Sequence, residues 1–162
     1  MRIDSSGKIS VNTSSVAGTG WVQINAVTAD ALAMRFKHNG GTVGNINTTS
    51  SSTSYNTSSD YRLKENAVDL TGAITRVKSL QPKRFNFIAD DSTTVDGFMA
   101  HEAATVVPEA VTGTHNEVDA DGNPVYQGID QSKLVPLLTA ALQEAIAKIE
   151  TLETKVTALE NA

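Results

Sequence analysis

Ser58-Ser59-Asp60-Tyr61-Arg62-Leu63-Lys64-Glu65-Asn66 marks the point where this 162-residue chain changes character. Before it runs a nearly uncharged tract of Ser, Thr and Asn. After it comes a charged region whose apolar residues recur at helical spacing. The chain is therefore expected to divide here, into a β-rich part over residues 1–58 and a mixed α/β part over residues 59–162.

Hydrophobic residues make up 40% of the chain and aromatics only 5%, a thin supply for a compact globule that must offset its own ordering entropy. Part of the core is therefore expected from other chains. The absence of cysteine excludes a disulfide framework and a thiolate metal site. No apolar run approaches the roughly 20 residues that span a bilayer, so no membrane partner is expected. Net charge is −5, divided unevenly: residues 1–58 carry four basic and two acidic side chains, and the remainder nine and sixteen. Neither part is a basic patch of the kind that binds nucleic acid. Met1 stands directly before a strand-like alternation, as in a fragment of a longer chain.

Ile3, Ile9 and Val11 alternate around Asp4-Ser5-Ser6-Gly7 and predict a first hairpin. Leu32, Met34 and Phe36 predict a second, turning at Asn39-Gly40 and returning through Val43 to Ile46. Over residues 45–59, thirteen of fifteen residues are Ser, Thr or Asn. That composition fits a disordered linker, or an extended strand in an intertwined three-chain β-stalk.

Beyond Asn66, Leu70, Ala73, Ile74, Val77 and Leu80 predict a helix capped by Asp69 or Thr71 and closed by Pro82. A strand through Phe85 and Phe87, a turn at Asp90-Asp91-Ser92 and a strand over 95–100 follow. A short helix over 102–107 ends at Pro108. Val111, Val118 and residues 125–129 predict further strands, the last two joined at Asp121-Gly122. A final helix capped by Asp130 or Ser132 keeps Pro136 in its first turn, which favours Ser132. In it a heptad places Val135, Leu142, Ile149 and Val156 at a, and Leu138, Ala145, Leu152 and Leu159 at d. Lys148 and Lys155 fall at g, and Glu153 and Glu160 at the e positions they would meet in a parallel partner. A parallel coiled coil over about residues 133–160 is expected, against the alternative of an amphipathic helix docked on its own domain.

Three stretches, in order, resemble one family. They are Ser59-Asp60-x-Arg62-Leu63-Lys64-x-Asn66; Gly97-Phe98-Met99-Ala100-His101-Glu102 through Pro108-Glu109-Ala110-Val111; and Tyr126-Gln127-Gly128-Ile129-Asp130-Gln131-Ser132-Lys133-Leu134-Val135-Pro136-Leu137-Leu138. Together they are similar to the self-cleaving intramolecular chaperone domain that ends many bacteriophage tail fibres, tailspikes and endosialidases. The resemblance covers residues 59–162 and implies an elongated, intertwined homotrimer of α+β class, with a triple-β-helix-like stalk, a chaperone domain and a coiled-coil helix. The heptad alone, β-branched at a with Leu at d, leans to a dimer; the resemblance implies three strands. The upstream stalk would be the folding client, and a host-surface receptor a further partner of the fibre. The stalk would belong to the virion, and the released domain to the host cytoplasm.

Read alone, Ser59 and Asp60 are turn or cap residues and Lys64 a solvated charge. The resemblance implies instead a Ser59–Lys64 dyad that cuts the Ser58–Ser59 bond, with Asp60, Arg62 and Asn66 as supporting candidates. A free lysine has a pKa of about 10.4, so only about one in a thousand is neutral at pH 7. Burial or a nearby cation must make it a base, and Arg62 is the candidate cation. No cofactor or metal is expected: Asp119, Asp121 and Asn123 resemble a calcium loop, but Gly122 comes too early and a hairpin turn fits better. His101, His38 and His115 receive no catalytic role. Competing readings are an uncleaved trimerisation cap and a receptor-binding fibre tip.

Overall fold

The computed structural model describes residues 2–3, 9–11, 22–24 and 31–162. It is a mixed α+β protein of small sheets and one long C-terminal helix, in two compact units, Met1–Ala67 and Val68–Ala162. Among the described residues no helix is long and apolar enough to cross a membrane.

In the first unit, β1 (Arg2–Ile3) pairs antiparallel with β2 (Ile9–Val11), matching the first expected hairpin, whose turn lies outside the described residues. β3 (Val22–Ile24) lies parallel to β2. The second hairpin is β4 (Ala31–His38) and β5 (Gly41–Thr48). Its two-residue loop puts Asn39 at φ 47° and Gly40 at φ 80°, the mirror-image turn whose twist matches that of the strands.

The Ser/Thr/Asn tract is neither a linker nor one extended strand. It turns at Thr49–Ser52, where the Thr49 hydroxyl accepts from the Ser51 and Ser52 amides, and returns as β6 (Thr53–Thr57) against β5. Its backbone groups thus find partners in their own chain, and the Asn56 side-chain amide donates to Asn45 Oδ1 at 2.9 Å across the two strands. Met34, Ile46 and Tyr55 stand opposite one another on the three strands and so share one face, on which Tyr55 is 78% exposed.

In the second unit, α1 (Ala73–Ser79) begins after Gly72, which sits at φ 68° and gives no side-chain cap. The expected caps Asp69 and Thr71 are not used. β7 (Lys83–Phe87) and β8 (Asp90–Gly97) form a hairpin that turns at Ile88-Ala89, before the expected Asp90-Asp91-Ser92, which belongs to β8. α2 (Ala100–Ala104) starts earlier than expected, and a 3-10 turn at Pro108–Ala110 leads into β9 (Val111–Thr112). β9 pairs with β10 (Gly128–Ile129), while Val118 bridges Pro124 around the Asp121-Gly122 turn. There Asp119 accepts from the Asp121 and Asn123 amides, so the loop resembling a calcium site is closed on itself as a turn.

The long helix α3 (Val135–Glu160) follows a 3-10 turn at Gln131–Leu134. Neither Asp130 nor Ser132 caps α3, which begins after Leu134 without a side-chain cap and keeps Pro136 in its first turn; Asp130 caps the 3-10 turn, its carboxylate accepting from the Ser132 amide. Leu134, Leu137 and Ala141 are buried against Ala73, Val107 and Ala110, with Ile74, Val77 and Val111 around them. The docked-helix alternative holds for the start of α3. Its first turns dock on the domain, while Val135, Leu138, Leu142, Ile149, Leu152, Val156 and Leu159 stay exposed along the heptad seam and Ala145 is half-buried.

Candidate functional site

The connection from β6 to the second unit carries the signature residues. Asp60 caps a 3-10 turn over Tyr61–Leu63, accepting from the Arg62 amide at 2.9 Å, and the Lys64 amide closes the turn on the Tyr61 carbonyl at 3.1 Å. This turn folds the chain back, so that Lys64 Nζ donates to Ser59 Oγ at 2.8 Å. Both side chains are exposed. A serine and a lysine five apart in sequence are thereby brought within the hydrogen-bond reach that proton transfer requires.

Arg62 does not act as a free cation beside Lys64. Its Nε and Nη2 bond the two Asp60 carboxylate oxygens at 2.9 and 2.7 Å, the two-pronged geometry of a planar guanidinium on a carboxylate. That side-chain pair, helped by the Arg62 amide, holds the Asp60 carboxyl below its ordinary value. The charge of Arg62 is thus engaged in fastening the turn. Asn66 sits at φ 53°, in the left-handed region; among the described hydrogen bonds none joins it to Ser59 or Lys64.

The carbonyl side of the Ser58–Ser59 bond is also held. The Ser58 amide donates to the Val43 carbonyl at 3.1 Å and its hydroxyl to the Thr42 carbonyl at 3.2 Å. Ser58 therefore continues the β5–β6 ladder one residue beyond Thr57. Nothing local in the sequence signals this, because the acceptors are backbone atoms of another strand. His101 stacks on His115 with ring centroids 4.3 Å apart. No cluster of metal-ligating side chains occurs among the described residues.

A serine hydroxyl hydrogen-bonded to a lysine amine is an arrangement across which a proton can pass. Residues 59–112 match the sequence model of the family described as Chaperone of endosialidase, a family also named as a peptidase. The matched segment begins at the serine of the pair. A comparison with curated proteins finds no match.

Proposed function

We propose that the chain is the C-terminal part of a bacteriophage tail fibre or spike, in which residues 59–162 act as an intramolecular chaperone. Three copies join, template the β-stalk of residues 1–58, and then release the chaperone by cutting Ser58–Ser59. The observation that carries this reading is the 2.8 Å contact between Lys64 Nζ and Ser59 Oγ at the first residue of the family match.

The chemistry follows from that contact. Neutral Lys64 takes the proton of Ser59 Oγ as the oxygen bonds to the Ser58 carbonyl carbon. The C–N bond breaks, the Ser59 nitrogen leaves as an amine after receiving a proton, and an ester joins Ser58 to Ser59 Oγ. Water adds to that ester, freeing the Ser58 carboxylate and restoring the Ser59 hydroxyl. Lys64 is exposed in the single chain, so packing against neighbouring chains would supply the desolvation that favours its neutral form.

Two apolar surfaces support a role for neighbouring chains. Among the described residues, the heptad positions of α3 other than Ala145 are exposed, as are Met34 and Tyr55 of the stalk sheet, with Ile46 half-buried between them. A trimer closing first at the helix would hold three stalks at high effective concentration and in register. Cutting then removes the template. The fibre becomes kinetically trapped, its persistence set by an unfolding rate. The stalk would remain on the virion and the freed domain in the host cytoplasm.

Intact-mass spectrometry of the purified protein tests this. Wild type yields a fragment beginning at Ser59, and Ser59→Ala and Lys64→Ala yield none. An uncut wild-type chain in the assembled state would make residues 59–162 a permanent trimerisation cap.

A further inference from the structure

The dyad fixes only one side of the bond it is placed to cut. Lys64 holds the attacking oxygen of Ser59, but the reaction also needs the Ser58 carbonyl carbon presented to that oxygen at a workable angle. An acyl transfer between adjacent residues passes through a strained five-membered ring, so freedom of the acyl half works against it. In this chain the acyl half is anchored. The β5–β6 pairing register runs from Thr48↔Thr53 to Gly44↔Thr57, and Ser58 adds two bonds past its end, amide to the Val43 carbonyl and hydroxyl to the Thr42 carbonyl.

The amide bond alone leaves the residue free to swivel about the strand axis. The hydroxyl bond is the second point of attachment, and two points fix the orientation of the carbonyl that follows. We infer that Ser58 is a positioning residue for self-cleavage, its hydroxyl pinning the acyl side of the scissile bond to the Thr42 carbonyl of β5 while Lys64 pins the nucleophile. The cleavage preference at this site is accordingly for a hydroxyl side chain before the scissile bond. This inference rests on the self-cleavage reading above.

The test compares Ser58→Thr with Ser58→Val in the full chain, with cleavage followed by intact mass during cell-free synthesis over a range of pH. The two replacements share one branched shape and differ in the hydroxyl. Thr cleaves within about twofold of wild type, and Val about tenfold more slowly, the scale of one lost oriented hydrogen bond. The pH profile keeps its shape in both, because the titrating base is untouched, and their melting temperatures agree. Equal rates for Thr and Val beside a cleaving wild type would overturn the positioning role and leave self-cleavage standing. An uncut wild type would remove both.

Discussion

Glu144, on the long helix, caps the N-terminus of α1: its carboxylate oxygens accept from the Ala73 amide at 2.8 Å and the Ile74 amide at 3.0 Å. These are first-turn N–H groups that helix geometry leaves without partners. Gly72 has no side chain with which to satisfy them, so a residue far along the chain does so and locks the long helix to the domain. The amides of Ile74 and Ala73 hold the Glu144 carboxyl below its ordinary value of 4.5. A carboxylate depressed in the folded state contributes stability that is complete above its unfolded pKa and lost as pH falls through the folded one. Glu144→Ala should lower the melting temperature at neutral pH by about 5 °C. The difference from wild type should shrink below about pH 4, the region below an unperturbed glutamate pKa; thermal melts followed by circular dichroism across that range check it.

The two faces of α3 should separate folding from association. Leu137 is 2% exposed and Leu142 62% exposed. Leu137→Ala should cost about 2–4 kcal/mol of domain stability through the cavity it leaves. Leu142→Glu should leave the monomer's stability within about 0.5 kcal/mol while abolishing self-association. Urea unfolding and sedimentation velocity on the same samples distinguish the two effects.

The Asp60–Arg62 pair is exposed, with 40% and 73% of the side chains open to solvent, so it adds little to global stability. Its effect should lie in the turn that returns Lys64 to Ser59. Asp60→Ala, which removes the cap and the fork together, should slow cleavage about tenfold with an unchanged melting temperature. Arg62→Lys should be impaired too, since an ammonium cannot bridge both carboxylate oxygens in the plane. Time courses of intact mass measure both.

Gly44 packs where a side chain has no room: a Cβ there would stand 2.8 Å from the Asn56 carbonyl oxygen. Gly44→Ala must push β6 away from β5, at a cost of about 1–3 kcal/mol. Because β6 leads directly into Ser58, the same change should slow cleavage. Hydrogen exchange of the Ser58 amide, which donates to Val43, should quicken in parallel.

The parts of this fold that were legible in sequence are those set by local rules. Period-two alternation and Asn39-Gly40 specify the β4–β5 hairpin, and apolar residues at helical spacing specify the helix α3. The parts that were not legible depend on distant partners. No local pattern tells that Glu144 will cap α1, or that Leu134, Leu137 and Ala141 form a docking face between seam residues. The β7–β8 turn falls on Ile88-Ala89, which carry no turn chemistry. Asp90-Asp91-Ser92 do carry it, but there Asp90 bonds the Ser92 hydroxyl within the strand. At the site, the spacing of Ser59 and Lys64 pointed to their meeting only through the family resemblance. Arg62 was assigned to Lys64 because its competing partner, Asp60, looked like a simple cap.

The most direct test of the account couples assembly to chemistry. The intact mass of wild type and of a Leu142→Glu/Ile149→Glu double variant is followed over time at equal concentration, beside sedimentation to establish association. The account predicts that wild type associates and divides between Ser58 and Ser59, while the unassociated variant keeps its full mass. A variant that stays monomeric and is cut as fast as wild type would contradict it.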